Sequence, residues 1–115
     1  MSDIKIITEK IRTFRDERDW KQFHNHKDVA LSLVLEAAEV LEHFQWKSPP
    51  EVLAHAEANK EDLSDELADV AIYLFELADN LGIDLSNAIE SKMKKNAKKY
   101  PVEKAKGRHT KYDKL

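Results

Sequence analysis

Glu36-Ala-Ala-Glu39 and Glu66-Leu-Ala-Asp69 are two pairs of acids, each spaced by three residues inside an apolar helical pattern. Residues three apart share a helix face, so each pair projects both carboxylates the same way. On one helix such a pair reads as an ordinary solvated edge. On two helices that must pack together, the four groups form a cage of hard oxygen ligands suited to Mg²⁺, with Mn²⁺ as the alternative. Like charges one turn apart repel unless something cationic neutralises them, and apolar residues flank the pair at Glu36 on both sides. The expected chemistry is metal-assisted hydrolysis at phosphorus, in which the cation polarises phosphate and activates water.

Competing chemistries lack their parts. Di-iron bundles use Glu-x-x-His pairs, whereas His43 follows Glu39 by four residues and no His follows Glu66 at that spacing. There is no cysteine, no nucleophile elbow and no glycine-rich phosphate loop. Phosphate must then be held by cations and basic side chains.

The elements that position the acids are helical. The 115 residues contain only two Gly and three Pro, which fits a single, mostly helical domain. Ile4, Ile7, Ile11 and Phe14 stripe a first helix that Ser2 can cap. A second, central and largely buried, is expected from an Asp28 cap to about Trp46, with Ser32, Glu36, Glu39, His43 and Trp46 along one line. Ser48, Pro49 and Glu51 form a capping-box start for a short connector helix to about Ala58, and Asn59 can cap the next. From Lys60 to Leu81 a core seam of Leu63, Leu67, Val70, Leu74, Leu77 and Leu81 runs beside an acidic line of Asp62, Glu66, Asp69, Tyr73 and Glu76. Gly82 stops that helix, Asp84 caps a fourth, and Tyr100-Pro101 ends it.

Between the first two helices, Trp20, Phe23, His24 and His26 crowd a short polar stretch. The rings either cap the core or wall a pocket in which a nucleobase stacks. The histidines, two apart, do not match a helical zinc pair.

Charge is divided unevenly: residues 1–91 carry a net −11 and residues 92–115 a net +8. The basic end either meets phosphate or pairs with acids of the same or a neighbouring subunit. Nucleic acid is disfavoured as a partner, because the acidic remainder would repel its backbone. No apolar run approaches the roughly 18 residues of a membrane span, and the start lacks a secretory leader, so a soluble, cytoplasmic protein is expected.

Glu36-x-x-Glu39, a gap of 26 residues and Glu66-x-x-Asp69 resemble the motif of the MazG-like all-α nucleoside triphosphate pyrophosphohydrolases. Glu17-Arg18-Asp19-Trp20, Gln22-Phe23-His24, Phe44-Gln45-Trp46, Tyr73, Ser91-Lys92-Met93, Asn96, Tyr100-Pro101 and Lys111-Tyr112 extend the similarity over nearly the whole chain, toward the single-domain dCTP pyrophosphatase branch. The resemblance implies a four-helix bundle-like fold over residues 1–100 and assembly as a homodimer or homotetramer, while residues 101–115, polar and basic with little periodicity, read as a tail. It implies hydrolysis of dCTP or a related pyrimidine nucleotide to monophosphate and pyrophosphate. Glu36, Glu39, Glu66 and Asp69 would ligate Mg²⁺; Trp20, His24, Trp46, Tyr73 and Asn96 would contact base and sugar; Lys92 and Lys111 would meet phosphates. Within the fold the alternatives are dUTP, a damaged nucleotide or phosphoribosyl-ATP as substrate. Outside it stands a non-catalytic helical oligomer that binds nucleotide or a partner.

Overall fold

A computed structural model describes residues 3–115, so the expected Ser2 cap lies outside the described residues. Among them are six α-helices: α1 (Asp3–Glu17), α2 (His26–Glu42), α3 (Pro49–Ala58), α4 (Lys60–Asn80), α5 (Leu85–Lys99) and α6 (Val102–Ala105). The four main helices expected from periodicity are α1, α2, α4 and α5, with α3 as the connector. No helix among the described residues is long and apolar enough to cross a membrane. The chain forms two compact units, one ending at Ile83 and the other running Asp84–Leu115.

In the first unit α4 is the hub, packing most extensively against α2 and also against α1 and α3. α2 begins earlier than the Asp28 cap expected for it. Asn25 is the cap, accepting from the Asp28 backbone N–H at 2.9 Å while its own amide donates to the Asp28 carboxylate at 2.8 Å. Reciprocal satisfaction of two polar side chains favours this start over a lone Asp cap. The Ser48–Glu51 capping box forms as expected, with Pro at the tolerated first turn. Asn59, by contrast, makes no side-chain cap for α4; its amide turns back to His55 of α3. Gly82 takes a φ of 70°, the left-handed stop that glycine adopts without a side-chain clash.

The leucine seam of α4 does not all face inward. Leu63 is buried, yet Leu67, Leu74 and Leu81 stay exposed, whereas Glu76 of the acidic line is among the most buried side chains, 4% exposed. α2 likewise leaves Leu31, Val34, Leu35 and Leu41 open rather than largely buried. The cause is geometric: apolar residues ring these helices on several faces, and the chain lays its acidic lines against each other, leaving leucines on the outside.

Two arginines tie α1 to α4. Arg12 forks onto Asp79, Nε to Oδ2 at 3.0 Å and Nη2 to Oδ1 at 2.6 Å, and Arg15 donates to Asn80 Oδ1 at 2.9 Å. The hydrogen bonds from Arg12, more than its charge, hold the Asp79 carboxyl below its ordinary range. Unfolded Asp79 therefore takes up a proton more readily than folded Asp79, so the stabilisation is full above about pH 4 and is lost as pH falls through the folded value. Asp79→Asn is expected to lose less melting temperature between pH 5 and 3 than the wild type. At pH 7 the change should stay within about 1 kcal/mol, since Arg12 is well solvated. Thermal melts across that range test this.

In the second unit Asp84 caps α5, accepting from the Asn87 backbone at 3.1 Å. α5 ends at Tyr100-Pro101, as expected. The following stretch is more ordered than a plain tail: α6 and a 3₁₀ turn at Tyr112–Lys114 form, and Tyr112 packs edge-on to Tyr100 and under the Lys99 ammonium.

Candidate active site

The facing surfaces of α2 and α4 bring the two acid pairs together. Glu36 has a raised pKa, first because it is buried, next because it shares a hydrogen bond with Glu39, and then because Glu39, Asp69 and Glu66 are all close enough to repel its charge. A cation among these groups would offset that repulsion. Glu36 Oε2 is buried and accepts no hydrogen bond. Glu66 Oε2 is buried too, with no aligned hydrogen bond, and lies 2.6 Å from His43 Nε2. An orphaned carboxylate oxygen at Glu36, with further acids close by, is the condition that a hard divalent cation relieves. In their present rotamers no three His, Asp or Glu side chains among the described residues are gathered as a finished ligand cluster.

Tyr73 joins this group from α4. Burial, and then the charges of Glu36, Asp69 and Glu76, push its hydroxyl pKa up, while a hydrogen bond with Ser32 of α2 acts the other way. A neutral phenol beside the acids can donate to a polar ligand.

Next to Tyr73, one turn on, the buried Glu76 organises a second cluster. Its Oε2 lies 2.7 Å from His24 Nδ1 and 3.9 Å from Arg15 Nη1. Arg15 is itself 4% exposed and also pairs with Asp16 at 2.9 Å. His24 is thus fixed by α4, and its ring meets that of Trp20 at 6.2 Å. Trp20 in turn packs edge-on against Phe14 at 5.9 Å. Phe23 is largely exposed and does not cap the core, and His26 is exposed in the first turn of α2.

Sequence reasoning placed Glu76 on the acidic line without a role and passed over Arg15. The available signal was stepwise spacing from Asp62, which puts Glu76 on the face shared with Glu66 and Asp69. Glu76→Ala is expected to destabilise the fold by about 3 kcal/mol in urea unfolding, because it frees His24 and takes one of the anions from a buried guanidinium that keeps Asp16 and Asn80. Glu76→Gln should cost less, since it keeps the volume and a hydrogen-bond acceptor.

Trp46 stands apart. α2 ends at Glu42, and a turn carries the chain to Trp46, which adopts a φ of 65° and is 92% exposed. The expected helix to Trp46 therefore stops four residues short. Lys92, Asn96 and Lys111 belong to the second unit, where all three are exposed; Lys92 and Asn96 lie about one turn apart on α5.

Residues 31–115 match the MazG-like family. The chain is 45% identical to dCTP pyrophosphatase 1 of Rattus norvegicus over 104 residues, which are 89% of this chain and 61% of that protein. It is 41% identical to dCTP pyrophosphatase 1 of Homo sapiens over 104 residues, with the same shares. The chain thus spans about three fifths of the length of the curated relatives it matches. The crystal structure of a pyrophosphatase from Archaeoglobus fulgidus DSM 4304 superposes with a TM-score of 0.83 at 39% identity, covering 88% of this chain and 94% of that one.

Proposed function

Because the chain belongs to the MazG-like family, we propose that it is a Mg²⁺-dependent pyrophosphohydrolase that converts dCTP, or a related pyrimidine deoxynucleotide, to the monophosphate and pyrophosphate. The observation that carries this reading is the convergence of the half-buried Glu36 with Glu39, Glu66 and Asp69, with an orphaned oxygen at Glu36. The dCTP preference rests on the names of the relatives, which are longer proteins.

Glu36, Glu39, Glu66 and Asp69 would hold the Mg²⁺. When bound, the cation would supply charge for the phosphate oxygens and acidify an attacking water. Glu39 would take the proton of that water at its carboxylate. Trp20, His24, Trp46, Tyr73 and Asn96 would contact base and sugar, and Lys92 and Lys111 would meet phosphates. The open leucines of α2 and α4 favour self-association, as a homodimer or homotetramer.

The test is chromatographic product analysis of the purified protein with each dNTP and NTP, in Mg²⁺ and in EDTA. Monophosphate plus pyrophosphate from a pyrimidine deoxynucleotide, in Mg²⁺ alone, is the expected result. Consumption of none would overturn the reading. Full activity in Glu39→Gln would remove that residue as the base.

A further inference from the structure

The carboxylates of α2 and α4 have a neighbour that the proposed chemistry does not use. His43, at the C-terminal end of α2, sets Nε2 2.6 Å from Glu66 Oε2 and Nδ1 2.7 Å from Nε2 of His55 on α3. His55 Nδ1 lies 3.2 Å from Asn59 Nδ2, and the same amide nitrogen donates to the His55 carbonyl at 2.9 Å. The two imidazoles are 5.0 Å apart between centroids, and Phe44 packs against both. Three elements thus meet in one line that ends on a carboxylate.

The protons in this line can be assigned. A carbonyl oxygen only accepts, so the Asn59 group facing it is the amide N–H₂, whose second hydrogen points to His55 Nδ1. His55 Nδ1 must then accept, which leaves the His55 proton on Nε2. That N–H donates to His43 Nδ1, so the His43 proton sits on Nε2, facing Glu66. Every ring nitrogen then has one role. Burial first, and then the nearby Lys47 ammonium, push the His55 pKa down, in keeping with a neutral His55.

We propose that Asn59, His55 and His43 form a positioning chain that holds one oxygen of Glu66, and so fixes how that carboxylate is presented to a divalent cation. None of the three is a catalytic residue. Groups behind a metal ligand fix its rotamer, and their loss typically weakens metal binding 10- to 100-fold. The chain explains why Asn59 leaves α4 uncapped: its amide is committed to His55. It also explains why the connector helix α3 lies where it does, since α3 supplies the middle of the line. The identity of the cation rests on the proposed function; the presence of the chain does not.

The experiment is direct Mn²⁺ binding by the full, nucleotide-free chain, read from the electron paramagnetic resonance signal of the free ion. His43→Ala and His55→Phe are expected to weaken binding about 10- to 100-fold. The phenyl ring retains the packing volume but has no donor. His43→Gln, whose amide nitrogen can still donate to Glu66, is expected to recover part of the loss. A purely structural role would show the reverse: His55→Phe would bind Mn²⁺ like the wild type, and that result overturns the proposal.

Should the variants fail to fold, long-range ¹H–¹⁵N spectra of the wild type decide, with both histidines expected to carry the proton on Nε2. Any other tautomer at His43 or His55 overturns the chain. Failure of this inference and failure of the proposed function are separable. Wild-type binding with weakened variants supports the chain even if no nucleotide is hydrolysed. Hydrolysis by the wild type with unaffected variants overturns the chain alone, and a wild type that binds no Mn²⁺ overturns both.

Discussion

Glu36→Gln is expected to abolish the response to divalent cations and to lower hydrolysis by at least about 100-fold, while raising the melting temperature of the metal-free protein. The two effects have opposite signs and a common origin. Burial, the hydrogen bond to Glu39 and the charges of Glu39, Asp69 and Glu66 all raise the Glu36 pKa. A carboxyl raised in the folded state binds its proton more tightly there than in the unfolded chain. Its favourable contribution is complete at low pH and is lost as pH rises through the folded value, so at neutral pH the ionised group weakens the fold. Glutamine keeps the shape and the hydrogen bonds but removes the charge, which relieves that repulsion. A bound cation relieves it in the wild type by attraction instead. Melts in EDTA and in Mg²⁺, run beside the hydrolysis assay, give all three readouts. If Glu36→Gln lowers the metal-free melting temperature, Glu36 is a structural carboxylate and the ligand role falls.

The main helices and the shared face of each acid pair could be read from the sequence, because helix faces follow from spacing alone. Glu36 with Glu39, and Glu66 with Asp69, share faces by a rule of backbone geometry that tertiary structure does not alter. Stops at Gly82 and Pro101, and the Ser48–Glu51 box, are likewise local chemistry. What spacing cannot decide is which of two neighbouring lines on one helix turns inward. On α4 the leucine seam and the acidic line lie side by side, and hydrophobicity favours burying the leucines. The structure buries Glu76 and leaves Leu67 and Leu74 open, because Arg15 and His24, distant in sequence, meet Glu76. That choice depends on contacts across about 50 or 60 residues, which no local pattern contains. The same holds for His55, whose partner His43 sits on another helix. Asn59 has the composition of a cap, and only the position of the His55 ring diverts it.

Trp46 offers the second large effect. Trp46→Gly is expected to weaken nucleotide binding about 5- to 150-fold while leaving the fold as stable or about 1 kcal/mol more so. The backbone at Trp46 is left-handed, at a φ of 65°, a conformation that costs a bulky residue about 1–2 kcal/mol and glycine almost nothing. The indole gives little back to the folded chain, since it is 92% exposed and has almost no packing to lose. A strained, exposed tryptophan therefore lacks a reason within the isolated chain, and stacking on a nucleobase supplies one. Stacking is worth about 1–3 kcal/mol per base, which sets the expected range. Mn²⁺ affinity should be unchanged, because the indole does not belong to the carboxylate group. The measurement is the KM for the hydrolysed nucleotide, beside urea unfolding and Mn²⁺ binding, in Trp46→Gly and Trp46→Phe. Phenylalanine should retain much of the binding, since it keeps an aromatic face. Equal losses of nucleotide affinity, Mn²⁺ affinity and stability in Trp46→Gly would make the residue a structural one, covered in an assembly of chains.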